Sequence, residues 1–596
     1  MTAFFMQRNF LARAVRRAWR RLAPGRGAAA ASAAADPWWK HSVIYEIYLR
    51  SFQDSNGDGI GDLNGIVQRL DYLESLGVDA IWITPFYPSP QVDFGYDICD
   101  YCSIDPRFGT LADFDHLVIE CARRGIRVLL DMVLNHTSEQ HPWFLEAVRS
   151  RDCARHDFYV WSDGRTGADG KRAPPNNWVS LFGGSAWEYV PTLDRFYYHR
   201  FYRQQPDLNW RNSHVERAMF DAMRFWLERG VAGFRLDAIT ELIEDEQLRD
   251  EPQTGGTNAQ GDPNLDHIYT DNLAETHHII QRLRAMIDTY PGQRVLIGET
   301  YLPRTADLDA WYGGARHNEL HLPMDTLVGL GSTLDACTFR QHLFEAATEI
   351  HHSQPLLVFD NHDNVRSWDR FGDGIHDGEI ARVIATLLLT SRAAVLLYQG
   401  EEIGQRTATP ERREEVRDPL GIRGWPREKG RDGERTPMPW DASSPQAGFS
   451  TNPRTWLPVT PDYGTINVQS ELADPDSLLN WHRHLISMRR SYATLRSGRL
   501  VMLDRDNTSV LTYARVSADG AILVVSLNMS ATPQTITVDL AAAGLAGASL
   551  TTLLSSPGVI PDADCGAAIS LPPYAAWVAA VRAHRARPDR GTPPPV

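Results

Sequence analysis

RVLLDMVLNH (127–136) and GFRLDA (233–238) decide the fold, because each is a short apolar, β-forming run that ends in polar, ionisable side chains. Working outward, six similar runs occur: VIYEIYLRSF (43–52), DAIWITPF (79–86), RVLIGET (294–300), ELHLPMD (319–325), PLLVFDNHD (355–363) and AVLLYQGEE (394–402). Amphipathic stretches such as LNGIVQRLDYLESLG and VERAMFDAMRFWLERG separate most of them and predict helices. Eight strands alternating with helices predict an α/β fold, a parallel sheet closed into a (β/α)8 TIM barrel.

Two segments interrupt or follow this alternation. Residues 137–209 are rich in Trp, Pro, Gly and Asn, and a connection this long usually carries structure of its own. We therefore predict an excursion domain after the third strand, with the catalytic barrel spanning 36–136 and 210–485. From 486 to 583 the pattern changes to apolar and polar residues alternating with period two, which predicts a C-terminal antiparallel β domain.

The two ends of the chain differ from the rest in composition. Residues 1–35 hold an Arg-rich run followed by an Ala-rich stretch, whose hydrophobicity is too low for a good secretory signal. We predict a disordered or targeting tail and a cytoplasmic protein, with a weak export signal as the alternative. Residues 584–596, rich in Arg and Pro, predict a second disordered tail.

The overall charge limits the choice of partners. The chain has 596 residues and a formal net charge of −15, which argues against nucleic acid or an anionic membrane as a partner. The sequence lacks an apolar run of the roughly 18 residues that a membrane span needs. We expect a small-molecule partner and a monomer or homodimer.

Ionisable side chains end several predicted strands, and in such barrels the strand ends form one rim that carries the active site. These residues are Asn135 and His136, Arg235 and Asp237, Glu299, and His362 and Asp363. Capping of the next helix explains a single strand-end Asp, but not so many at one rim. Carboxyl groups sharing a cleft suit glycosidic bond cleavage, in which one is ionised and another donates a proton.

The positions of the charges suggest how these roles divide. Arg235 lies two residues before Asp237 on one strand, so both side chains face the same side, and the cation should keep Asp237 ionised. Glu299 follows the apolar VLIG with no adjacent cation in the sequence, so we expect its pKa to be raised.

Six motifs give the chain a specific resemblance: DMVLNH (131–136), QPDLNW (205–210), GFRLDA (233–238), IGET (297–300), FDNHD (359–363) and GRDGERTPMPW (430–440). With them the chain resembles the α-amylase superfamily of glycoside hydrolases, most of all the bacterial α-glucosidase and oligo-1,6-glucosidase branch. The resemblance implies a retaining, exo-acting α-glucosidase that cleaves terminal α-linked glucose from short oligosaccharides or aryl α-glucosides, with transglucosylation as a side reaction. Asp237 is then the nucleophile, Glu299 the general acid/base and Asp363 the transition-state stabiliser.

The same resemblance implies a set of sugar contacts. They are Asp93, Tyr96, His136, Phe182, Phe201, Arg235, His362 and Arg431, with Arg435 as an alternative to Arg431. An organic cofactor is not expected.

The loop DSNGDGIGD (54–62) places alternating oxygens in a Gly-rich turn, a pattern that wraps a hard cation. The ligands would be Asp54, Asn56, Asp58, Ile60 through its backbone carbonyl, and Asp62. Related α-glucosidases hold a structural Ca²⁺ or Mg²⁺ here, and the alternative is a turn without metal.

Two other functions are weighed against hydrolysis. In the family, Val after the nucleophile goes with α-1,6 and Thr with α-1,4 preference, whereas this chain has Ala238. Trehalose synthases also tend to carry Ala there, which leaves a maltose- or sucrose-isomerising glucosyl transferase open. An inactive, amylase-like transporter subunit is disfavoured, because all three carboxylates are present.

Overall fold

A computed structural model describes residues 36–167, 170–350, 353–540, 548–559, 562–564 and 566–582. The predicted tails, 1–35 and 584–596, lie outside these residues. Within them, eight parallel strands form a closed barrel in the order in which they occur in the chain. The strands are Val43–Ile47, Ala80–Ile83, Arg127–Val133, Gly233–Asp237, Val295–Gly298, Leu322–Asp325, Leu356–Val358 and Ala394–Tyr398. The predicted barrel is confirmed.

The barrel strands are buried along almost their whole length, because helices cover the outside and side chains fill the inside. Trp82, Leu129, Ile297 and Leu356 are among the residues of one buried apolar cluster contributed by successive strands. Continuous burial explains why the strands are apolar runs rather than alternating patterns. The polar strand ends are the exception, and they form the site described below.

Several helices follow barrel strands: Leu63–Gln68, Leu70–Leu76, Leu111–Arg123, Ser213–Glu228, Ala274–Asp288, Thr305–Trp311, Ala336–Glu349 and Asp377–Thr390. Four shorter helices are Pro142–Ala147, Ser367–Phe371, Pro419–Gly424 and Val468–Ala473. The helices Leu478–Ser491 and Ala493–Ser497 come next in the chain. Their ends match the sequence signals. Thr110 and Asp113 form a reciprocal capping box at the start of Leu111–Arg123. Gly77 ends Leu70–Leu76 with φ +94°, a left-handed conformation that glycine adopts without strain.

The excursion lies between Val133 and Ser213, as predicted. It contains a three-stranded sheet, in the order Trp161–Ser162, Arg195–Tyr198, Trp187–Val190. It also contains a two-stranded sheet formed by Arg165–Thr166 and Arg172–Ala173. Trp178, Trp187, Phe196 and Tyr198 form its buried core. A second insertion, the antiparallel hairpin of Gln253–Thr257 and Pro263–Leu265, follows the fourth barrel strand and was not predicted.

The described part of the chain divides into two compact units, and all eight barrel strands belong to the first, which holds the described residues within 1–330, 349–370 and 393–483. The second unit holds those within 331–348, 371–392 and 484–596. Its six-stranded sheet runs in the order Arg499–Met502, Val510–Val516, Ile522–Asn528, Ala576–Arg582, Ser549–Ser555, Asp562–Asp564, and Gln534–Thr537 pairs with Ala568–Leu571. The predicted C-terminal antiparallel sheet is confirmed.

In the second unit, a buried arginine caps the C-terminal end of the helix Asp377–Thr390. The Arg515 guanidinium is fully buried and donates to the carbonyls of Thr390, Ser391 and Gly498. Carbonyls at the end of a helix lack intrahelical partners, so this cation satisfies them and complements the helix dipole. Among the residues described, none of the helices combines the length and apolar character needed to cross a lipid bilayer.

Candidate active site

A cavity of about 280 Å³ opens at the carboxyl ends of the barrel strands. The three predicted catalytic carboxylates, Asp237, Glu299 and Asp363, line it together. Six predicted sugar contacts also line it: Asp93, Tyr96, His136, Phe182, Phe201 and Arg431. The remaining lining residues are Leu181, Ala238, Thr240, Glu241, Tyr301 and Asn364. Barrel closure therefore brings together residues spread over more than half of the chain.

The Arg235 guanidinium lies beneath the cavity and connects its carboxyl groups. Nη1 donates to Asp237 Oδ1 at 2.5 Å and to Asp131 Oδ1 at 3.0 Å. Nη2 forms an ion pair with Glu299 Oε1, and the Ala238 backbone N–H donates to Glu299 Oε2 at 3.0 Å. Asp131 and Arg235 are register partners on neighbouring strands, which fixes this arrangement. One cation thus holds Asp237 and Glu299 close together, as a retaining pair (roughly 5 Å apart) requires.

The expected division of charge between Asp237 and Glu299 was wrong in one respect. Glu299 does have a cation beside it, because Arg235 reaches across from the neighbouring strand. Burial raises the pKa of Asp237 well above its usual range, and the charges of Glu299 and Asp131 act in the same direction, while Arg235 acts to lower it. Arg235 therefore favours the ionised form of Asp237, as expected, but does not outweigh burial and its carboxylate neighbours.

Asp363 lies in a different electrostatic environment. Its Oδ1 accepts from Arg431 Nη1 at 2.9 Å and from Arg435 Nη2 at 2.6 Å. Burial acts to raise the pKa of Asp363, but His362, once it is protonated at low pH, and the permanent charges of Arg431 and Arg435 hold it well below its usual range. Asp363 is therefore ionised, which suits a group that stabilises positive charge rather than one that donates a proton.

Arg431 joins three carboxylates. Besides Asp363, it donates through Nη2 to Asp93 Oδ1 at 2.9 Å and through Nε to Asp418 Oδ2 at 2.8 Å. Arg435 also contacts Asp363, but it is fully buried and donates through Nε to the His362 carbonyl. Arg431, rather than Arg435, therefore faces the cavity.

His362 and Tyr96 form a buried layer beneath the cavity. The Tyr96 hydroxyl donates to Asp131 Oδ2 at 3.0 Å and lies 2.8 Å from His362 Nε2, and the two rings stack with centroids 5.5 Å apart. His362 Nδ1 lies 2.6 Å from Glu46 Oε1. Burial lowers the pKa of His362 well below its usual value, so the imidazole is neutral at pH 7.

Aromatic side chains from the excursion wall the cavity. Phe182 and Phe201 lie with ring centroids 5.6 Å apart, and Phe201 packs against His136 at 5.1 Å. The Arg431 guanidinium lies 5.4 Å from the Phe182 ring centroid. Burial lowers the pKa of His136 to about 3, so it is a neutral hydrogen-bonding group at pH 7. Such a wall, apolar with a few fixed polar groups, suits a sugar ring.

Comparison with known proteins agrees with this geometry. The family model of the α-amylase catalytic domain matches residues 46–498. The chain belongs to the α-amylase family. It is 41% identical to a probable alpha-glucosidase of Rhizobium meliloti (strain 1021), covering 83% of this chain and 89% of that protein. It is 37% identical to an oligo-1,6-glucosidase of Parageobacillus thermoglucosidasius, covering 83% and 91%. The resemblance read from the motifs is confirmed.

Solved structures of the α-amylase family share the whole architecture. The α-glucosyl transfer enzyme XgtA is 38% identical and superposes with a TM-score of 0.82, and the match covers 92% of this chain and 100% of that chain. The trehalulose synthase MutB from Pseudomonas mesoacidophila MX-45 is 33% identical, also with a TM-score of 0.82 and the same coverage of 92% and 100%.

Besides the further lining residues, four side chains that hold predicted residues of this α-amylase-family site were not predicted: Asp131, Glu46, Gln205 and Asp418. Asp131 and Gln205 stand inside the DMVLNH and QPDLNW motifs, and Gln205 Nε2 donates to Asp93 Oδ2 at 3.1 Å. Glu46 lies inside the first barrel strand, where a carboxyl group between apolar neighbours was the available signal. Asp418 lies in no motif, so the sequence offered no signal for it.

The predicted metal loop is held largely by its own hydrogen bonds. Asp54 accepts from the backbone of Asn56, Gly57 and Gly59, and Asp62 caps the helix Leu63–Gln68. Asn56 Oδ1 accepts from Asp58 N at 2.9 Å, and Asp58 Oδ1 from Ile60 N at 2.8 Å. In the part of the chain that the structure describes, no three Asp, Glu, His or Cys side chains form a group that could hold a metal ion. The candidate ligand atoms of the loop are all oxygens, which is the type that a hard cation prefers. Its carboxylates alone, however, are too few to complete the coordination of a metal ion.

Proposed function

We propose that the chain is a retaining, exo-acting α-glucosidase that hydrolyses terminal α-linked glucose from short oligosaccharides or aryl α-glucosides. The observation that carries this proposal is the single cavity lined by Asp237, Glu299 and Asp363 together with the Asp93–Arg431 ion pair. Its relatives named alpha-glucosidase and oligo-1,6-glucosidase, at 41% and 37% identity, support it.

The reaction proceeds in two displacements. Asp237 attacks the anomeric carbon while Glu299 donates a proton to the glycosidic oxygen, so the C–O bond breaks and a glucosyl ester forms on Asp237. Glu299 then removes a proton from water, which attacks the same carbon and releases glucose and free Asp237. Two inversions give net retention of the α configuration. Asp363, ionised between two arginines, stabilises the positive charge that develops on the sugar ring.

The electrostatics of the pair suit this cycle. The first step needs one proton on the pair formed by Asp237 and Glu299, positioned on Glu299. Burial and the charges of Glu299 and Asp131 raise the pKa of Asp237, so the cavity resists carrying a negative charge on every carboxyl group at neutral pH. Arg235 binds both carboxyl groups and favours whichever is ionised, which allows the proton to reside on Glu299 when substrate presents its glycosidic oxygen there.

The ion pair of Asp93 and Arg431 accounts for exo action. Both groups are positioned to bond to hydroxyls of a terminal glucose. A sugar extended at that position would have to displace the buried Asp93–Arg431 pair, and separating two buried opposite charges costs far more than losing a contact in water. Short oligosaccharides and aryl α-glucosides are therefore preferred over polymer chains.

Transfer to a sugar acceptor is the second candidate function, either as a side reaction or as isomerisation of maltose or sucrose. Ala238, directly after the nucleophile, has φ +47° and lines the cavity. Its side chain is smaller than Val or Thr, which leaves room for an acceptor sugar. The named activities of XgtA, α-glucosyl transfer, and of MutB, trehalulose synthesis, support this candidate at 38% and 33% identity.

Product analysis with maltose, isomaltose, sucrose and trehalose tests the proposal and separates the candidates. Proton NMR of the first-formed glucose should show the α-anomer, and β-glucose appearing first would exclude a retaining mechanism. Asp237→Asn should reduce kcat to below a few per cent of the wild-type value, because an amide cannot form the ester. Isomeric disaccharides as main products would instead favour the transferase.

We further propose a structural Ca²⁺ or Mg²⁺ in the loop 54–62. The carboxylates of Asp54, Asp58 and Asp62 would need the Asn56 amide oxygen and the Ile60 carbonyl to complete an oxygen set. The metal would stabilise the loop and take no part in the reaction.

A further inference from the structure

Glu241 is a carboxylate in the active-site cavity that the proposed reaction does not use. It ends the short helical turn Ile239–Glu241, which directly follows the fourth barrel strand and Ala238. Its side chain lines the cavity together with Asp237 and Glu299. The charged groups that face it are Asp271, Arg200 and Glu299. Ala238, three residues before Glu241, donates its backbone N–H to Glu299, the group that protonates the leaving oxygen in the proposed reaction, so Glu241 is assigned to the side of the cavity that holds the leaving group.

We propose that Glu241 determines specificity for the leaving group and for sugar acceptors, binding a hydroxyl group there and, more strongly, a cationic group. This inference rests on the proposed α-glucosidase activity.

The surroundings of Glu241 are short of positive charge. Asp271 contributes a second carboxylate, and its Oδ1 is buried without a hydrogen-bond partner in the described structure. Arg200 is the nearby cation, but its Nη1 donates to Thr270 Oγ1 at 3.3 Å and lies 3.1 Å from His267 Nδ1. A ligand cation would therefore complement two partly desolvated carboxylates, where a Coulombic attraction is stronger than in water.

The charge of Glu241 should change with pH in the neutral range. Burial and the charges of Asp271 and Glu299 raise the pKa of Glu241 to about 7, whereas Arg200 and a hydrogen bond from Thr240 act to lower it. Above pH 7 the group is a carboxylate that attracts a cation, and below pH 7 it is a neutral carboxylic acid. Preference for a cationic leaving group should therefore increase as the pH rises through 7.

The test compares two substrates of the same shape. One is the α-glucoside of choline, and the other is its uncharged isostere, in which a tert-butyl group replaces the trimethylammonium group. The measured quantity is the ratio of kcat/KM for the charged substrate to that for the uncharged one, so changes that affect both reactions equally cancel. Glu241→Gln keeps the size and hydrogen-bonding capacity of the side chain but removes its charge, and we expect the ratio at pH 8 to fall at least tenfold.

Glu246→Gln is the matched control, because Glu246 is an exposed carboxylate on the same loop. It should keep the wild-type ratio. In the wild-type enzyme the ratio should rise between pH 6 and pH 8, and Asp271→Asn should move that rise to lower pH, because it removes a neighbouring negative charge. An unchanged ratio in Glu241→Gln, or a ratio in the wild type that does not vary with pH, overturns the inference. Failure of the wild-type enzyme to cleave p-nitrophenyl α-glucoside would instead refute the proposed function.

Discussion

Arg431 and Asp93 form a buried ion pair, with Nη2 2.9 Å from Oδ1, although the two residues are 338 positions apart in the sequence. The same guanidinium also binds Asp363, so the group proposed to close the pocket is joined directly to the proposed transition-state stabiliser. In the proposed mechanism, recognition of the terminal sugar and stabilisation of the transition state therefore depend on one side chain. A change at the closed end of the pocket should affect the chemical step as well as binding.

Asp93→Asn tests this connection. The variant loses one charged partner of Arg431, and loss of a hydrogen bond between charged groups costs roughly 1.5–3 kcal/mol, about 10- to 100-fold in kcat/KM. We expect KM for maltose to rise and kcat to fall together, because the terminal ring is no longer held for attack. Steady-state kinetics provide the measurement, and Asp100→Asn, exposed in the same loop, serves as the control. A rise in KM with unchanged kcat would show that binding and catalysis are separate.

Substrate length gives an independent check of the closed pocket. Soluble starch and maltose, compared at equal concentration of non-reducing ends, should differ, with maltose cleaved much faster and glucose as the initial product from either. The reason is that a chain continuing past the terminal sugar would have to displace the buried ion pair of Asp93 and Arg431. An equal rate on starch, or internal cleavage products on a chromatogram, would contradict the pocket.

Asp131 should act as a positioning residue. It holds Arg235 and Tyr96, and its charge contributes to the raised pKa of Asp237. Asp131→Asn should lower kcat by roughly 100-fold, within the range for groups that orient a catalytic site. Because the variant removes a negative charge beside Asp237, the acidic limb of the pH profile of kcat/KM should move to lower pH. A lower kcat with an unmoved profile would indicate a purely structural role.

The barrel could be predicted from the sequence because its strands are buried on both faces and so appear as uninterrupted apolar runs. The convergence of Asp237, Glu299 and Asp363 followed from the same pattern, since parallel strands end at one rim. The exposed hairpin of Gln253–Thr257 and Pro263–Leu265 carries no apolar run, and it was missed for that reason.

Contacts between side chains of different strands were beyond the sequence. Arg235 was predicted to keep Asp237, two residues along the same strand, ionised. Its bonds to Asp131 and Glu299 could not be predicted, because they depend on which strands are adjacent and in what register. Asp418 holds Arg431 through a loop contact that has no periodic signal. Local patterns therefore identified the reacting groups, whereas the supporting hydrogen bonds required the fold.

His482 provides a pH-dependent stability test outside the active site. It is buried in the helix Leu478–Ser491, where its Nδ1 donates to the Leu478 carbonyl, and burial lowers its pKa to about 4. The folded state therefore binds this proton less readily than the unfolded state, whose pKa is about 6.5, so stability present above pH 6.5 is lost as the pH falls towards 4. His482→Gln removes this dependence.

The free energies of unfolding of wild type and His482→Gln are measured with urea at each pH. Between pH 7 and pH 4, the value for the wild type should fall by about 3 kcal/mol relative to that for the variant. The difference between the two proteins is the informative quantity, because buried carboxyl groups such as Glu434, whose pKa burial raises to about 8, act in the opposite direction in both. If the two free energies keep a constant difference over this range, the histidine binds its proton equally readily in the folded and unfolded states, contrary to the prediction.

Removal of divalent metal tests the loop 54–62. If Asp54, Asn56, Asp58, Ile60 and Asp62 bind Ca²⁺ or Mg²⁺, EDTA should lower the Tm, since a ligand that binds only the folded state stabilises it by mass action. Asp58 is exposed and bonds only within the loop, so Asp58→Ala should fold normally but lose the sensitivity of Tm to EDTA. Asp152→Ala, an exposed carboxylate elsewhere, should keep that sensitivity. An EDTA-insensitive Tm in the wild type, together with no bound metal by elemental analysis, would leave the loop as a turn held by its own hydrogen bonds.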